Sequence, residues 1–191
     1  MNDNWKSAWQ PLIDWIEQED QELDVSWGAD PIEQGAVRRY LEPLEFDCPL
    51  HYDREVARAQ GYEDIIAPYT SLLSFSLPAL WSAGESLFTV AERNAQPDSR
   101  SLRPPLPAQA PAFAGYFATD MDFEFIRPAL VGETLGKRGP RIVSCVAKET
   151  RVGRGAFIAL EYDIITVEAE VIALLRTGLF CYNPITASEA S

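Results

Sequence analysis

The sequence has few cationic residues, few cysteines and a single histidine. Its 191 residues contain 16 lysines and arginines against 29 aspartates and glutamates, which gives a formal net charge of −13. Because nucleic acids and anionic membrane surfaces attract basic proteins, this charge argues against both as partners. The three cysteines, Cys48, Cys145 and Cys181, are odd in number and form no CxxC pair. This pattern predicts neither a disulfide framework nor a metal site.

Long apolar runs and phosphate-binding loops are also missing. No window approaches the roughly 20 apolar residues that a transmembrane helix requires, and no Gly-rich phosphate loop is visible. The first ten residues lack the basic start and the apolar run of a signal peptide. These absences predict a soluble, cytoplasmic protein without membrane contacts. The chain length favours a single domain over residues 1–191.

The first third of the chain has the patterns of helices. Apolar residues at helical spacing predict an amphipathic N-terminal helix within residues 1–20, for which packing is the simplest role. A second helix is predicted over Glu33–Glu42, because Pro43 cannot continue its hydrogen bonds. A third is predicted over Arg54–Ala59, with Gly61 as its cap.

A nearly uncharged segment, IIAPYTSLLSFSLPALW, predicts a buried helix over Ile65–Trp81. Such a helix requires a sheet around it, and alternating side chains predict four strands later in the chain. These strands are Tyr116–Arg127, Arg138–Thr150, Phe157–Val167 and Val171–Tyr182. Their short connections favour an antiparallel sheet. Residues 83–115 form a Pro-rich loop, which is either a functional lid or simply mobile.

Two segments carry a resemblance to a known family. They are GAVRRYLEPLEFDCPLHYDREVARAQGYEDIIAPYTSLL, at residues 35–73, and FEFIRPALVGETL, at residues 123–135. They resemble the MaoC-like hydratase/dehydratase group, and most closely its N-terminal-type, fatty-acid-synthase-like dehydratase domains. The resemblance implies an α+β hot-dog fold, with a long central helix wrapped by an antiparallel sheet and here an extra N-terminal helix.

The resemblance also implies a reaction. Proteins of this group add water reversibly across the double bond of a 2-enoyl thioester, carried on coenzyme A or acyl carrier protein, and they use no other cofactor. A base must activate water, a proton must reach the α carbon, and the thioester oxygen must be stabilised as enolate charge develops. Because hot-dog domains commonly pair, we expect a homodimer or a heterodimer with another hot-dog chain.

The acid/base motif of this group maps onto His51, the one histidine of the chain. The motif's aspartate position falls on Phe46, so Glu45 or Asp47 would replace that carboxylate if the loop shifts by one residue. Acid/base geometry tolerates little misplacement, which weighs against this replacement. The alternative for His51 is a local hydrogen bond without a catalytic role.

The substrate-binding residues that the resemblance implies are Tyr69, Thr70 and Arg127. The amides of Tyr69 and Thr70 are the donors that remain for the thioester oxygen, since Pro68 has no N–H. Arg127 is one of several arginines that can bind the phosphates of coenzyme A. Solvation at the surface is the alternative for each of these arginines.

Three functions remain open. The first is an enoyl-thioester hydratase/dehydratase that acts alone. The second is a non-catalytic acyl-binding or structural hot-dog subunit that pairs with a catalytic MaoC-like chain, which Phe46 at the aspartate position favours. A hot-dog thioesterase ranks last, because it usually needs a carboxylate on or beside the central helix and Tyr69–Trp81 contains none.

Overall fold

An antiparallel five-stranded sheet dominates the computed structural model, which describes residues 4–17, 21–88, 91 and 104–185. The strands are β1 (Val25–Trp27), β2 (Gly115–Phe125), β3 (Leu135–Thr150), β4 (Gly153–Thr166) and β5 (Val171–Asn183). The helices are α1 (Asn4–Ser7), α2 (Gln10–Ile16), α3 (Gln34–Leu41), α4 (Arg54–Ala59) and α5 (Leu72–Phe75). Three 3-10 turns lie at Glu42–Leu44, Pro49–His51 and Tyr69–Ser71.

The strand order in the sheet is β1-β3-β4-β5-β2. Strands β3, β4 and β5 follow one another through short turns, whereas β2 returns to pair with β5 and so lies at one edge. The four predicted strands are confirmed, and their ends differ from the prediction by a few residues because alternation does not mark where pairing stops. The short segment β1 pairs with β3 at the opposite edge.

Two clusters of buried side chains lie against the sheet. One joins α3 to the strands β4 and β5, and it includes Val37, Leu41, Leu72, Ile164 and Ile172. The other includes Trp9 and Leu12 from the N-terminal segment, together with Ile158, Leu160 and Leu175. The N-terminal helix is therefore a packing element, as its apolar face predicts.

The predicted helices are found, with changes at their ends. The N-terminal helix is divided into α1 and α2, with Pro11 in the first turn of α2, where proline fits. Helix α3 ends at Leu41, and the 3-10 turn that follows contains Pro43. Helix α4 has its predicted bounds, and Gly61 after it has a φ of +93°.

The long helix predicted over Ile65–Trp81 is wrong in its extent. Only a 3-10 turn and α5, together Tyr69–Phe75, are helical. The residues before this turn are extended, because the Ala67 amide donates to the Ala129 carbonyl at 2.7 Å. After it, the Leu77 carbonyl accepts from Ala29, and Pro78 has no amide to extend the helix. Backbone partners outside the segment thus replace the intrahelical hydrogen bonds that the apolar run predicts.

The predicted loop over residues 83–115 falls partly outside the described residues. Its described residues up to 114 contain no helix or strand, and β2 begins at Gly115. Leu106, Ala110 and Phe113 are half-buried against the second cluster. Within the described ranges, no helix has the length and apolarity needed to cross a bilayer.

Candidate functional site

The imidazole of His51 is buried and held in one orientation. His51 ends the 3-10 turn Pro49–His51, and only 8% of it is exposed. Its Nδ1 lies 2.8 Å from the carbonyl oxygen of Ile66. Because a carbonyl only accepts hydrogen bonds, Nδ1 carries a proton, which leaves Nε2 as the ring nitrogen that can exchange one. This geometry is compatible with an acid/base role and also with the local hydrogen bond that the sequence leaves as the alternative.

The same loop is fixed to the segment that follows α4. The amide of Ile66 donates to the Leu50 carbonyl at 3.2 Å, next to His51 in the chain. The sequence did not reveal the Ile66 carbonyl as the group that orients His51, because this contact joins residues 15 apart in loops of no regular period. No motif marks a backbone acceptor of this kind.

Phe46 is the aromatic neighbour of His51. Its ring centroid lies 5.6 Å from that of the imidazole, with the planes tilted by 54°, and 48% of the residue is exposed. The Phe46 carbonyl accepts a hydrogen bond of 2.7 Å from the hydroxyl of Tyr52, which holds the loop in place. The position at which the family motif has an aspartate thus places an aromatic ring beside the histidine.

The structure does not bring Glu45 or Asp47 into hydrogen-bond contact with His51. Both residues are exposed, and Glu45 has left-handed backbone angles (φ 50°, ψ 36°) at the end of the 3-10 turn Glu42–Leu44. This turn and the Tyr52–Phe46 hydrogen bond set the register of the loop, so a shift by one residue would break both. The catalytic roles of Glu45 and Asp47 stay predictions.

The turn that begins at Tyr69 lies close to this loop along the chain. As the first residues of a helical turn, Tyr69 and Thr70 have amides without an intrahelical acceptor. The Thr70 carbonyl accepts from the Tyr40 hydroxyl at 2.9 Å, which attaches the turn to α3. The Ile66–Ala67 segment, which precedes the turn, holds the His51 ring. The predicted acid/base residue and the predicted amide donors therefore belong to one connected framework.

An exposed aromatic surface extends from this turn onto β2. Tyr69 is 40% exposed, and its ring centroid lies 4.6 Å from that of Phe125, whose ring stacks on Phe123 at 5.3 Å. Such a surface can contact an apolar acyl chain. The pairing of Tyr69 with β2 was not evident from the sequence, because 56 positions separate the two aromatic residues.

Arg127 lies at a pocket of about 600 Å³ and is bound by two carboxylates. Its guanidinium donates to Glu133 at 2.8 Å and to Glu170 at 2.5 Å. The hydrogen bond with Glu170 raises the pKa of Arg127 and lowers the pKa of Glu170. A phosphate at Arg127 would have to compete with both carboxylates, so its role in binding coenzyme A stays a prediction.

Two of the cysteines are poor nucleophiles. Burial raises the pKa of Cys145 to about 11 and that of Cys181 to about 12. Because the thiolate is the nucleophilic form, both thiols are protonated and unreactive near neutral pH.

The family can be assigned by comparison. The model of the family described as FAS1-like, dehydratase domain region, matches residues 24–175. The chain belongs to this family. The chain is also 27% identical, over 158 residues, to a protein from Thermomonospora curvata that is named a probable enoyl-CoA hydratase alpha subunit. The match covers 82% of the chain and 47% of that protein, so the chain spans about half the length of this curated relative.

Several solved structures share the fold of this chain. A chain of the ChsH1-ChsH2 complex from Mycobacterium tuberculosis has a TM-score of 0.64 at 17% identity, covering 95% of this chain and 94% of that one. A MaoC-like dehydratase from Rhodospirillum rubrum has a TM-score of 0.54 at 17% identity, with coverages of 88% and 97%. The (R)-hydratase from A. caviae involved in PHA biosynthesis has a TM-score of 0.51 at 15% identity, with coverages of 87% and 99%. The predicted hot-dog fold and the predicted fatty-acid-synthase-like dehydratase family are confirmed.

Proposed function

We propose that this chain takes part in the reversible hydration of a 2-enoyl thioester, as an enoyl-thioester hydratase/dehydratase or as a subunit of one. The observation that carries the proposal is the buried His51 ring, whose Nδ1 is held by the Ile66 carbonyl so that Nε2 remains for proton exchange. The hydratase and dehydratase relatives support the same chemistry.

In the hydration direction, neutral His51 accepts a proton at Nε2 from a water molecule as the water oxygen bonds to the β carbon. The electron pair of the double bond moves toward the thioester, and the amides of Tyr69 and Thr70 donate hydrogen bonds to the thioester oxygen as it gains negative charge. The protonated imidazole then delivers its proton to the α carbon. The reverse sequence removes water from a 3-hydroxyacyl thioester.

A second chain is the natural source of the missing carboxylate. Phe46 occupies the aspartate position, and neither Glu45 nor Asp47 has His51 as a hydrogen-bond partner in the part of the chain that the structure describes. One relative is named an alpha subunit, and one similar structure is a complex of two proteins. These observations support pairing with another hot-dog chain, and they leave a homodimer as the alternative. The acyl group would be carried by coenzyme A or acyl carrier protein.

The experiment that tests this proposal is an absorbance assay. Purified protein is mixed with crotonyl-coenzyme A, and separately with a longer 2-enoyl-coenzyme A, while loss of the conjugated double bond is followed. The variant His51→Asn keeps a donor at the position of Nδ1 but cannot exchange a proton, so we expect turnover to fall by at least about 100-fold. Because the hydrogen bond to Ile66 is kept, the free energy of unfolding should change by less than about 1 kcal/mol.

The variant Glu55→Gln, an exposed position on α4, is the control and should keep wild-type turnover. Equal turnover of His51→Asn and wild type would contradict the role of His51. Absence of turnover in the folded wild-type protein would instead favour the second candidate, a non-catalytic acyl-binding subunit. Phe46 at the aspartate position is the observation that favours this candidate, and activity that appears only after a partner chain is added would identify it.

A further inference from the structure

The pocket beside Arg127 has more negative than positive charge in its lining. Its volume of about 600 Å³ lies within the range of small-molecule sites. One arginine and four glutamates line it, which gives the lining a formal charge of −3; the glutamates are Glu63, Glu133, Glu168 and Glu170. The sign of this charge favours a cationic ligand over an anionic one.

The guanidinium of Arg127 is already saturated with acceptors. Its Nε donates to Glu170 at 2.9 Å, and its Nη1 donates to Glu133 at 3.2 Å and to the Pro128 carbonyl at 2.9 Å. Its Nη2 donates to Glu133 at 2.8 Å and to Glu170 at 2.5 Å. These bonds use every N–H of the group. An anion would therefore have to displace a carboxylate from Arg127, whereas a cation would not.

The other two glutamates of the pocket remain available to a cation. Glu63 follows α4, and Glu168 lies in the turn between β4 and β5. Both are exposed, and neither side chain has an ion pair or a hydrogen bond among the described residues. Because they come from two separate loops of the pocket, they can bind a ligand that has more than one positive group.

A buried hydroxyl in the pocket wall also lacks a partner. Thr166, at the end of β4, lines the pocket and is only 1% exposed. Its amide donates to the Glu170 carbonyl at 3.0 Å, and its carbonyl accepts from Ala169 at 2.9 Å. In the part of the chain that the structure describes, its Oγ1 has no hydrogen-bond partner. Since an unsatisfied buried hydroxyl destabilises a fold, a ligand that donates to Oγ1 would relieve this destabilisation.

The rest of the lining suits a hydrocarbon chain. Tyr62, Pro128, Leu130 and Val167 contribute apolar groups to it. The ring of Tyr62 is half-buried, and the face of an aromatic ring attracts an ammonium group. Over the residues that the structure describes, no group of carboxylates, histidines and cysteines is arranged to hold a metal ion. These features favour an organic cation with an aliphatic body.

We propose that this pocket binds an aliphatic polyamine. Its protonated amines donate to the carboxylates of Glu63 and Glu168, and one of them also donates to Oγ1 of Thr166. Its methylene groups lie against the apolar side chains of Leu130 and Val167. A polyamine thus meets the charge, the unpaired hydroxyl and the apolar surface of the pocket with one molecule.

This binding is independent of the proposed hydration. None of the three residues to which that reaction is assigned, His51, Tyr69 and Thr70, lines the pocket. The measurements that test the polyamine site therefore need no enoyl thioester. Failure of one proposal leaves the other unaffected.

The test is isothermal titration calorimetry of the full chain with spermidine. A buffer with about 150 mM sodium chloride screens the general attraction of cations to an acidic surface. We expect one molecule of spermidine to bind per chain. Two control ligands should give no binding heat at the concentrations that saturate this site. They are magnesium chloride, which supplies an inorganic dication, and 1,8-octanediol, which has nearly the length of spermidine without its charge.

Matched variants test the two free glutamates. The double variant Glu63→Gln/Glu168→Gln should bind spermidine about fivefold more weakly, because two charge pairs are lost. The double variant Glu17→Gln/Glu22→Gln removes the same charge from exposed positions outside the pocket and should bind as the wild type does.

A third variant tests the hydroxyl. Thr166→Val keeps the shape of the side chain and removes Oγ1, so it should bind spermidine about threefold more weakly. Its thermal unfolding midpoint without spermidine should not fall, because the free protein loses no hydrogen bond of Oγ1. An unchanged midpoint with weaker binding would assign the hydroxyl to the ligand and not to the fold.

Four results would overturn the proposal. Absence of binding heat with spermidine in the folded wild-type protein would show that the pocket is not a polyamine site. Equal weakening in both double variants, or magnesium that displaces spermidine, would show general attraction to an acidic protein. Binding of spermidine to Thr166→Val with wild-type affinity would remove the hydroxyl from the site.

Discussion

The imidazole of His51 has one nitrogen fixed by the Ile66 carbonyl, and the ring of Phe46 lies beside it at the position where the family resemblance implies an aspartate. In the proposed hydration, an acid/base pair would divide the two proton transfers between two groups, whereas a lone imidazole must perform both. The proposal therefore predicts a lower rate for this chain alone than for a site with both groups. Of the groups around His51, Phe46 is the one whose replacement tests that prediction most directly.

Replacing Phe46 by aspartate should raise hydration turnover by at least about tenfold, because a carboxylate beside the imidazole can share the proton transfers. Phe46 is half exposed, so the new charge stays hydrated and we expect only a small loss of stability. The control is Phe46→Asn, which has nearly the same shape without a titratable group. Equal rates for the aspartate and asparagine variants in the enoyl-thioester assay would contradict this explanation.

The candidate site is built on residues that the sequence singled out, and each contact that the sequence did not predict has a physical reason. It singled out His51, Tyr69 and Thr70, which the structure joins through the Ile66–Ala67 segment. It did not predict the carbonyl that orients the ring, because every residue has one and no side-chain type marks it. The partners of Arg127 were also not predicted, because Glu170 is 43 residues away in the sequence and comes close to Arg127 when the chain folds.

Among the elements, the strands were easier to predict than the buried helix. The alternation of apolar and polar side chains indicates which face of a strand is buried, and the packing of that face in the fold favours the same strand. The apolar run at Ile65–Trp81 indicates that the segment is buried, but it does not indicate which backbone amides and carbonyls form hydrogen bonds with each other. Hydrogen bonds to Ala129 before the turn and to Ala29 after it confine the helix to its middle.

Helix α4 offers a test of local stability next to the candidate site. Its N-cap Asp53 accepts hydrogen bonds from the amides of Glu55 at 2.8 Å and Val56 at 3.2 Å. The variant Asp53→Ala should lower the free energy of unfolding by about 1 kcal/mol in urea denaturation, because both amides lose this acceptor. Asp53→Asn keeps an acceptor oxygen and should lose less. An alanine variant as stable as the asparagine variant would show that the cap contributes nothing.

At the scale of the whole molecule, the formal charge of −13 acts on the folded chain by self-repulsion. Ion pairs on the sheet join Arg138 to Asp163 and Arg176 to Glu161. Other carboxylates of the sheet, such as those of Asp122 and Glu124, are exposed to solvent. Screening between exposed charges is weak at low salt and strong at physiological salt, as the Debye length falls from about 30 Å to about 8 Å. Added salt should therefore relieve repulsion.

The expected result is a rise of a few degrees in the thermal unfolding midpoint between about 10 mM and about 150 mM sodium chloride. Circular dichroism at each salt concentration measures this midpoint. Choline chloride should give the same rise at equal ionic strength, which separates screening from specific binding of sodium. A midpoint that falls as salt is added would mean that attractive ion pairs outweigh the excess negative charge.

The strand order gives β2 a pairing partner that is synthesised last. Within the described ranges β2 pairs with β5 alone, and β3 and β4 lie between these two strands in the chain. During synthesis β2 therefore leaves the ribosome before its partner and stays unpaired until β5 follows. A pause of the ribosome within β3 or β4 would prolong this interval, in which an unpaired strand can associate with other nascent chains.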